Sequence, residues 1–222
     1  RRAEGGVGLI IVEAAYIDEP VGRAIPHELC IDDDKFILGF RRLTEAVHAR
    51  GAKIALQIHH AGPGTHFEGA HPVAPSPIPL EHIPDVIPKE LSKDEIKQIV
   101  QRFISGARRA KQAGFDAVEF LCAHGYLLNR FLSPHANKRK DEYGGNRENR
   151  LRIIKEIVEG VRREVGDTLP ILCKVPGDDY IEGGITIEES IGICQIMEGL
   201  GISQVTITGG SSEARFTHIG PM

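Results

Sequence analysis

The stretch DAVEFLCAHGYLLNRFLSPHANKRKDEYGGNRENR, residues 116–150, decides the fold. It opens with an apolar run, Ala117 to Leu121, of the length and composition of a strand buried on both faces. Cys122, His124 and Tyr126 follow at once, and two of these side chains can hold or move a proton near neutral pH or when perturbed. A buried strand that ends in a polar cluster and then feeds a long, highly specified loop is how an α/β enzyme builds the wall of a site.

The same grammar recurs on either side. Apolar runs at Gly8–Val12, Lys53–Ile58, Pro170–Val175 and Gln204–Thr208 read as strands. Helical spacing marks four segments. Asp32-Asp33-Asp34 caps the first, which carries Phe36, Ile37, Phe40, Leu43 and Val47. Ser92 and Glu95 form a capping box for the second, with Ile96, Ile99, Val100, Phe103 and Ile104 on one face. A third is expected from about Glu148 to Val165, and Thr186 caps the fourth, to about Leu200. Glycines 51, 114, 166 and 201 stop these helices one to four residues before the next strand. The loops after the strands are long, and the stretch from Pro72 to Pro88 has too many prolines for helix or central strand.

Short turns into strands and long loops out of them place the chemistry on the C-terminal edge of a parallel sheet. A doubly wound sheet would be expected to carry a G-x-G-x-x-G phosphate loop, and none is present. A (β/α)8 TIM barrel instead predicts polar groups at the ends of several strands, which every strand here supplies. Five strands are visible, so the expectation is a single domain over residues 1–222 holding strands 2 to 6 of a barrel and incomplete at both ends.

The residues aimed into the barrel mouth are then Glu13 and Ala14, Gln57, Leu121, His124, Tyr126 and Lys174. A lysine in an apolar strand needs an anion, since an unpaired buried ammonium costs several kcal/mol. That anion is either a ligand or a neighbouring Asp or Glu. Gln57 suits a heterocycle edge or an inter-strand polar layer, and His124 and Tyr126 suit a substrate or ordinary loop hydrogen bonding. His59, His60, His66 and His71 read as a solvated loop, not a metal site. Leu127, Leu128, Phe131 and Leu132 read as packing residues of a short helix.

Composition narrows the class. The 222 residues carry a net charge of −4 with both signs interspersed, and no run of like charge suggests nucleic acid or a membrane surface as partner. Cys30, Cys122, Cys173 and Cys194 lack C-x-x-C spacing, as expected of reduced thiols in a cytoplasmic protein. No apolar run approaches membrane-spanning length.

Residues 123–150, with GGVGLIIVEA at 5–14, ALQIHHAG at 55–62, PVAPSPIP at 72–79 and GDDYIEGGIT at 177–186, resemble in order the old yellow enzyme family of flavin mononucleotide (FMN) oxidoreductases. That group includes 2,4-dienoyl-CoA reductase and trimethylamine dehydrogenase relatives. The resemblance implies an ene-reductase. NADH or NADPH reduces FMN, hydride passes from flavin N5 to an activated C=C bond, His124 holds the activating oxygen and Tyr126 delivers the proton. It also implies that Ala14 lies against the flavin by its backbone, that Gln57 meets the pyrimidine edge, and that Lys174 stands where the family usually has arginine, beside N1 and the C2 carbonyl. Leu121 replaces a histidine common in related ene-reductases. Losing one of two preorganised donors costs on the order of 3 kcal/mol for a substrate that depends on both. Two alternatives stay open: an amine dehydrogenase or demethylase of the same family, and a non-catalytic fragment unable to hold flavin. A 4Fe-4S cluster is expected only if the protein extends beyond the barrel. The partner expected is a small-molecule substrate, and self-association is left open.

Overall fold

The computed structural model describes residues 1–65, 67 and 69–211, so His66 lies outside the described residues. All five expected strands form: β1 (Leu9–Tyr16), β3 (Lys53–His59), β6 (Ala117–Leu121), β7 (Ile171–Asp178) and β8 (Gln204–Gly209). A two-residue strand, β2 (Leu29–Cys30), edges β1. The main sheet is parallel throughout, in the order β2-β1-β3-β6-β7-β8. Its long strands therefore lie side by side in chain order. A doubly wound sheet would reverse direction at a switch point, whereas a singly wound barrel does not. The fold is the α/β barrel type expected.

Pleating divides the sheet into two faces. Ile54, Leu56, Ile58, Val118, Phe120, Ile171, Cys173 and Val175 turn toward the helices and join the main core. Ile11, Ala55, Ala117 and Leu172 form a small cluster on the other face. The helix layer consists of α1 (Ile37–His48), α2 (Lys93–Gln112), α5 (Arg152–Val165) and α6 (Ile187–Gly199). The stripe expected in α2, Ile96, Ile99, Val100, Phe103 and Ile104, is buried, and α5 buries Ile154, Ile157, Val158 and Val161. Of the stripe expected in the first helix, Phe40 and Val47 are buried and Leu43 is exposed. Phe103 meets Phe120 edge-on at 5.7 Å. Burying each such ring contributes roughly 1.5–3 kcal/mol. The capping box at Ser92 and Glu95 forms with both of its hydrogen bonds. Gly114 follows α2 at φ +89, a conformation L side chains rarely adopt.

Three local expectations shift. Asp33 caps a one-turn 3-10 segment, Asp34–Phe36, by accepting from the Lys35 amide, and α1 follows it without a side-chain cap of its own. The helix expected from Glu148 divides at Leu151 into α4 (Arg147–Arg150) and α5. β1 and β3 also outrun their apolar stretches, because backbone pairing continues through Ala15 with Ile58 and Tyr16 with His59.

The loop after β6 is a framework in its own right. It begins with α3 (Leu127–Leu132), whose residues are all buried. Arg139, 8% exposed, donates to the carbonyls of Pro75 at 3.0 Å and Leu91 at 2.6 Å and pairs with Asp141 at 2.6 Å. The Asn137 amide donates to the Phe131 and Tyr143 carbonyls, each at 2.8 Å. Arg150 donates to Leu132 O at 2.8 Å and pairs with Glu189 of α6. Two-residue strands β4 (Val73–Ala74) and β5 (Lys89–Glu90) pair under this loop, where prolines exclude longer ones. Among the described residues, no helix is long and apolar enough to cross a membrane.

Gly62 ties the loop after β3 to α3. It has φ +62, and a Cβ there would lie 2.9 Å from Leu127 Cβ and 3.0 Å from Leu127 Cα. Gly62→Ala is therefore expected to destabilise the fold by about 2–4 kcal/mol through strain and overpacking, read as a lower denaturation midpoint with an unchanged slope.

Candidate active site

The C-terminal ends of the strands gather every residue expected at the mouth around two cavities. One, of about 260 Å³, is lined by Ala14, Leu121, His124 and Tyr126; the other, of about 290 Å³, by Glu119, Lys174 and Thr206. Glu13 and Gln57 line both, so the two adjoin. A cavity of about 840 Å³ lies elsewhere, between α6 and β8; its described lining is rich in aliphatic residues such as Ile187, Ile191 and Ile207, with Asp178 and Glu198, and includes no histidine or lysine. The histidine, the tyrosine and the lysine expected at the mouth all line the smaller pair.

Local backbone geometry aims these side chains. The β1–β3 register shifts between Val12 and Ala15, so Glu13 and Ala14 sit in an irregularity at the strand end. Such bulges redirect side chains beside sites. After β6 the chain turns through two left-handed residues, His124 at φ 64 and Gly125 at φ 76. Asn129 Oδ1 accepts from the Gly125 amide at 2.7 Å, and the Leu127 amide donates to His60 O at 3.1 Å. This turn brings His124 Nε2 to 3.1 Å from Thr208 Oγ1 on β8 and lays Tyr126 against the cavity.

The polar layer beneath the mouth centres on a residue the sequence reading passed over. Glu119 has no exposure; Gln57 Nε2 donates to its Oε1 at 2.6 Å and Thr206 Oγ1 to its Oε2 at 3.2 Å. Gln57 thus belongs to an inter-strand polar layer and keeps its carbonyl oxygen as an acceptor. Lys174, half-buried, makes no ion pair or hydrogen bond among the described residues, so the neighbouring-carboxylate alternative does not hold. The Glu119 carboxylate of this layer takes one neutral donor on each oxygen, and Lys174 lines the cavity it shares with Gln57. A cation and an amide carbonyl on one cavity wall suit a planar, polar-edged ring that gathers negative charge. The residues present therefore fit the flavin edge that the resemblance implied.

The histidines correct another expectation. His59 and His60 are 0% and 1% exposed and not in a solvated loop, because β3 continues through His59; His71 is exposed as expected. His60 Nδ1 accepts from the Gly62 amide at 3.0 Å, and its Nε2 lies 3.3 Å from Asp18 Oδ2. That arrangement is the neutral tautomer with the proton on Nε2. Burial, with the nearby charge of His59, pulls the His60 pKa down to about 3. His59 lies under Tyr126, ring centroids 4.9 Å apart, with its Nε2 2.7 Å from Glu28 Oε1. Burial first, and then the Glu28 carboxylate, push the Tyr126 phenol up from its ordinary value. Glu28 and Glu119 were missed in the sequence, and His59 was read as a solvated-loop residue. The signal for Glu119 was a lone acid inside AVEFL, the same logic applied to Lys174; Glu28, in an irregular loop, carried none.

The chain matches the model of the NADH:flavin oxidoreductase / NADH oxidase family over residues 1–219. It is 44% identical to the NADH oxidase of Thermoanaerobacter brockii over 99% of this chain and 34% of that protein. It is 43% identical to the NADPH dehydrogenase of Bacillus velezensis over 95% of this chain and 61% of that protein. Among solved structures, a 2-naphthoyl-CoA reductase in complex with 2-naphthoyl-CoA superposes with a TM-score of 0.89 at 34% identity, over 96% of this chain and 34% of that one. The chain thus spans from about a third to about three fifths of the length of these relatives.

The buried neutral His60 gives stability a defined pH dependence. Below the ordinary imidazole value of 6.5 the unfolded chain binds a proton that the native state refuses down to about 3. Stability should therefore fall as pH drops through that window, by about 1.4 kcal/mol per pH unit from this group alone. His60→Gln is expected to flatten the slope between pH 6.5 and the onset of carboxylate protonation, measured by denaturant unfolding at a series of pH values.

Proposed function

This chain belongs to the NADH:flavin oxidoreductase / NADH oxidase family, and we propose that residues 1–222 form strands 2 to 6 of a flavin-binding barrel that reduces an activated C=C bond with electrons from NADH or NADPH. The observation that carries the reading is the meeting of His124 and Tyr126 in one cavity, with Gln57 on the wall it shares with the Lys174 cavity. Exposed Ile187, Ile191 and Ile207 on the β8 side support further barrel elements in the whole protein, since grouped aliphatics seldom face water.

FMN, when bound, supplies the hydride exchange, accepting from the nicotinamide and giving to the substrate. Lys174 is assigned to the ring edge where negative charge gathers on reduction; as a point charge it stabilises that charge without the bidentate geometry of arginine. Gln57 is assigned to the same ring's polar edge through its free carbonyl oxygen, and Ala14 to its face through the backbone. His124 holds the oxygen that activates the alkene. Tyr126 gives its hydroxyl proton to the α-carbon, and its raised pKa keeps the donor loaded at neutral and mildly basic pH. Leu121, 3% exposed, presents an apolar surface where related enzymes commonly have a second donor. This favours a substrate whose carbonyl is activated through one hydrogen bond, such as a thioester or enoate.

Tyr126→Phe tests the reading in the full-length, flavin-loaded protein. Reoxidation of the reduced enzyme by an enone or enoyl thioester should slow about 10²-fold or more, while reduction by NAD(P)H stays near the parent rate. Equal losses in both half-reactions would overturn the assignment.

A further inference from the structure

Two residues with no part in that mechanism sit directly behind Tyr126. His59 ends β3 with no exposure, and its ring meets the Tyr126 phenol edge-on at 73°. Its Nε2 is 2.7 Å from Glu28 Oε1 but out of line for a hydrogen bond, so both ring nitrogens are buried without a hydrogen-bond partner among the described residues. The Glu28 side chain is only 7% exposed. Its other oxygen accepts from the Ala24 amide at 2.7 Å and the Ile25 amide at 3.5 Å. Backbone amides therefore fix the carboxylate, and the imidazole offsets part of the cost of burying it. Glu28 also lines the cavity that holds Tyr126.

We propose that Glu28 and His59 form a positioning pair for Tyr126: His59 fixes the phenol ring, and Glu28 sets the charge that its hydroxyl faces. The inference rests on Tyr126 being the proton donor. A side chain with free rotation about two bonds must be held for its hydroxyl to meet one carbon of a substrate, and an edge-on neighbour that cannot itself move does this. A fixed carboxylate beside the phenol disfavours the phenolate, so the donor stays protonated between turnovers. The other titratable groups around the phenol are Glu13, His27 and His124, which share its cavity, and His59 behind it. Burial and the Glu28 charge act on the phenol in the same direction.

The test uses the full-length, flavin-loaded protein and two readouts. Ultraviolet difference titration follows tyrosine ionisation, with Tyr126→Phe identifying the Tyr126 component; Glu28→Gln, whose carbonyl can still accept from the Ala24 amide, should move that component to lower pH. Single-turnover reoxidation by an enoyl thioester such as crotonyl-CoA should slow about tenfold in His59→Leu with little change in the half-saturating substrate concentration, a part of the 10²–10⁴ that a placed general acid supplies. An unmoved titration in Glu28→Gln, or an unaltered reoxidation rate in folded His59→Leu, overturns the pair while leaving the role of Tyr126 intact. If Tyr126→Phe itself fails to slow reoxidation, the functional reading falls and the pair with it. Should His59→Leu not fold, the titration of Glu28→Gln decides alone.

Discussion

A carboxylate with no access to water organises this molecule. Glu119 occupies the middle strand of the sheet, and burying its charge is tolerable only because neutral donors reach both oxygens, Gln57 from β3 on one side and Thr206 from β8 on the other. Those two hydrogen bonds reach across four neighbouring strands, β3, β6, β7 and β8, and help to fix their register, since a slip of one residue on β3, β6 or β8 would turn a partner to the helix face. Lys174, which lies beside Thr206 in the β7–β8 pairing, makes no ion pair with Glu119 or with any other carboxylate among the described residues. The layer that holds the sheet together thus also sets an uncommitted cation at the mouth.

The wall above that layer is built on a different principle. Buried arginines and an asparagine of the loop after β6 spend their donors on backbone carbonyls, at Pro75, Leu91, Leu132, Phe131 and Tyr143. A segment with little regular secondary structure gains in this way the satisfied backbone that helices and strands provide for themselves. Arg130, Arg139 and Arg150 of the stretch that resembles the family signature serve this framework, and of that stretch only His124 and Tyr126, at its start, line the cavity. A specified loop, in other words, is not a loop full of site residues.

How much could be read from the chain follows from which interactions are local. Helix stripes, caps and the apolar strand runs are set by near neighbours in sequence, and α2 and its capping box, α6 and β6 fall where the pattern placed them. The mouth residues were legible because strand parity carries to the strand end: Gln57 and Lys174 share one cavity, and Gln57, His124 and Tyr126 the other. What was not legible depends on distant partners. Nothing near Glu28 announces His59, which lies 31 positions on and becomes buried only because β3 pairs further along β1 than its apolar run extends. Lys174 was legible only in part, since the rule that a buried cation seeks an anion does not say whether a side chain or a ligand supplies it.

The Arg139 guanidinium joins three segments far apart in sequence, reaching Pro75 before β5, Leu91 after it and Asp141 within its own loop. Opening any one of these loops uncovers a charge that the other two were sharing, so they separate together or not at all. Amide hydrogens along this irregular stretch should in consequence exchange with deuterium as slowly as those of a packed helix, and at rates that rise and fall in concert.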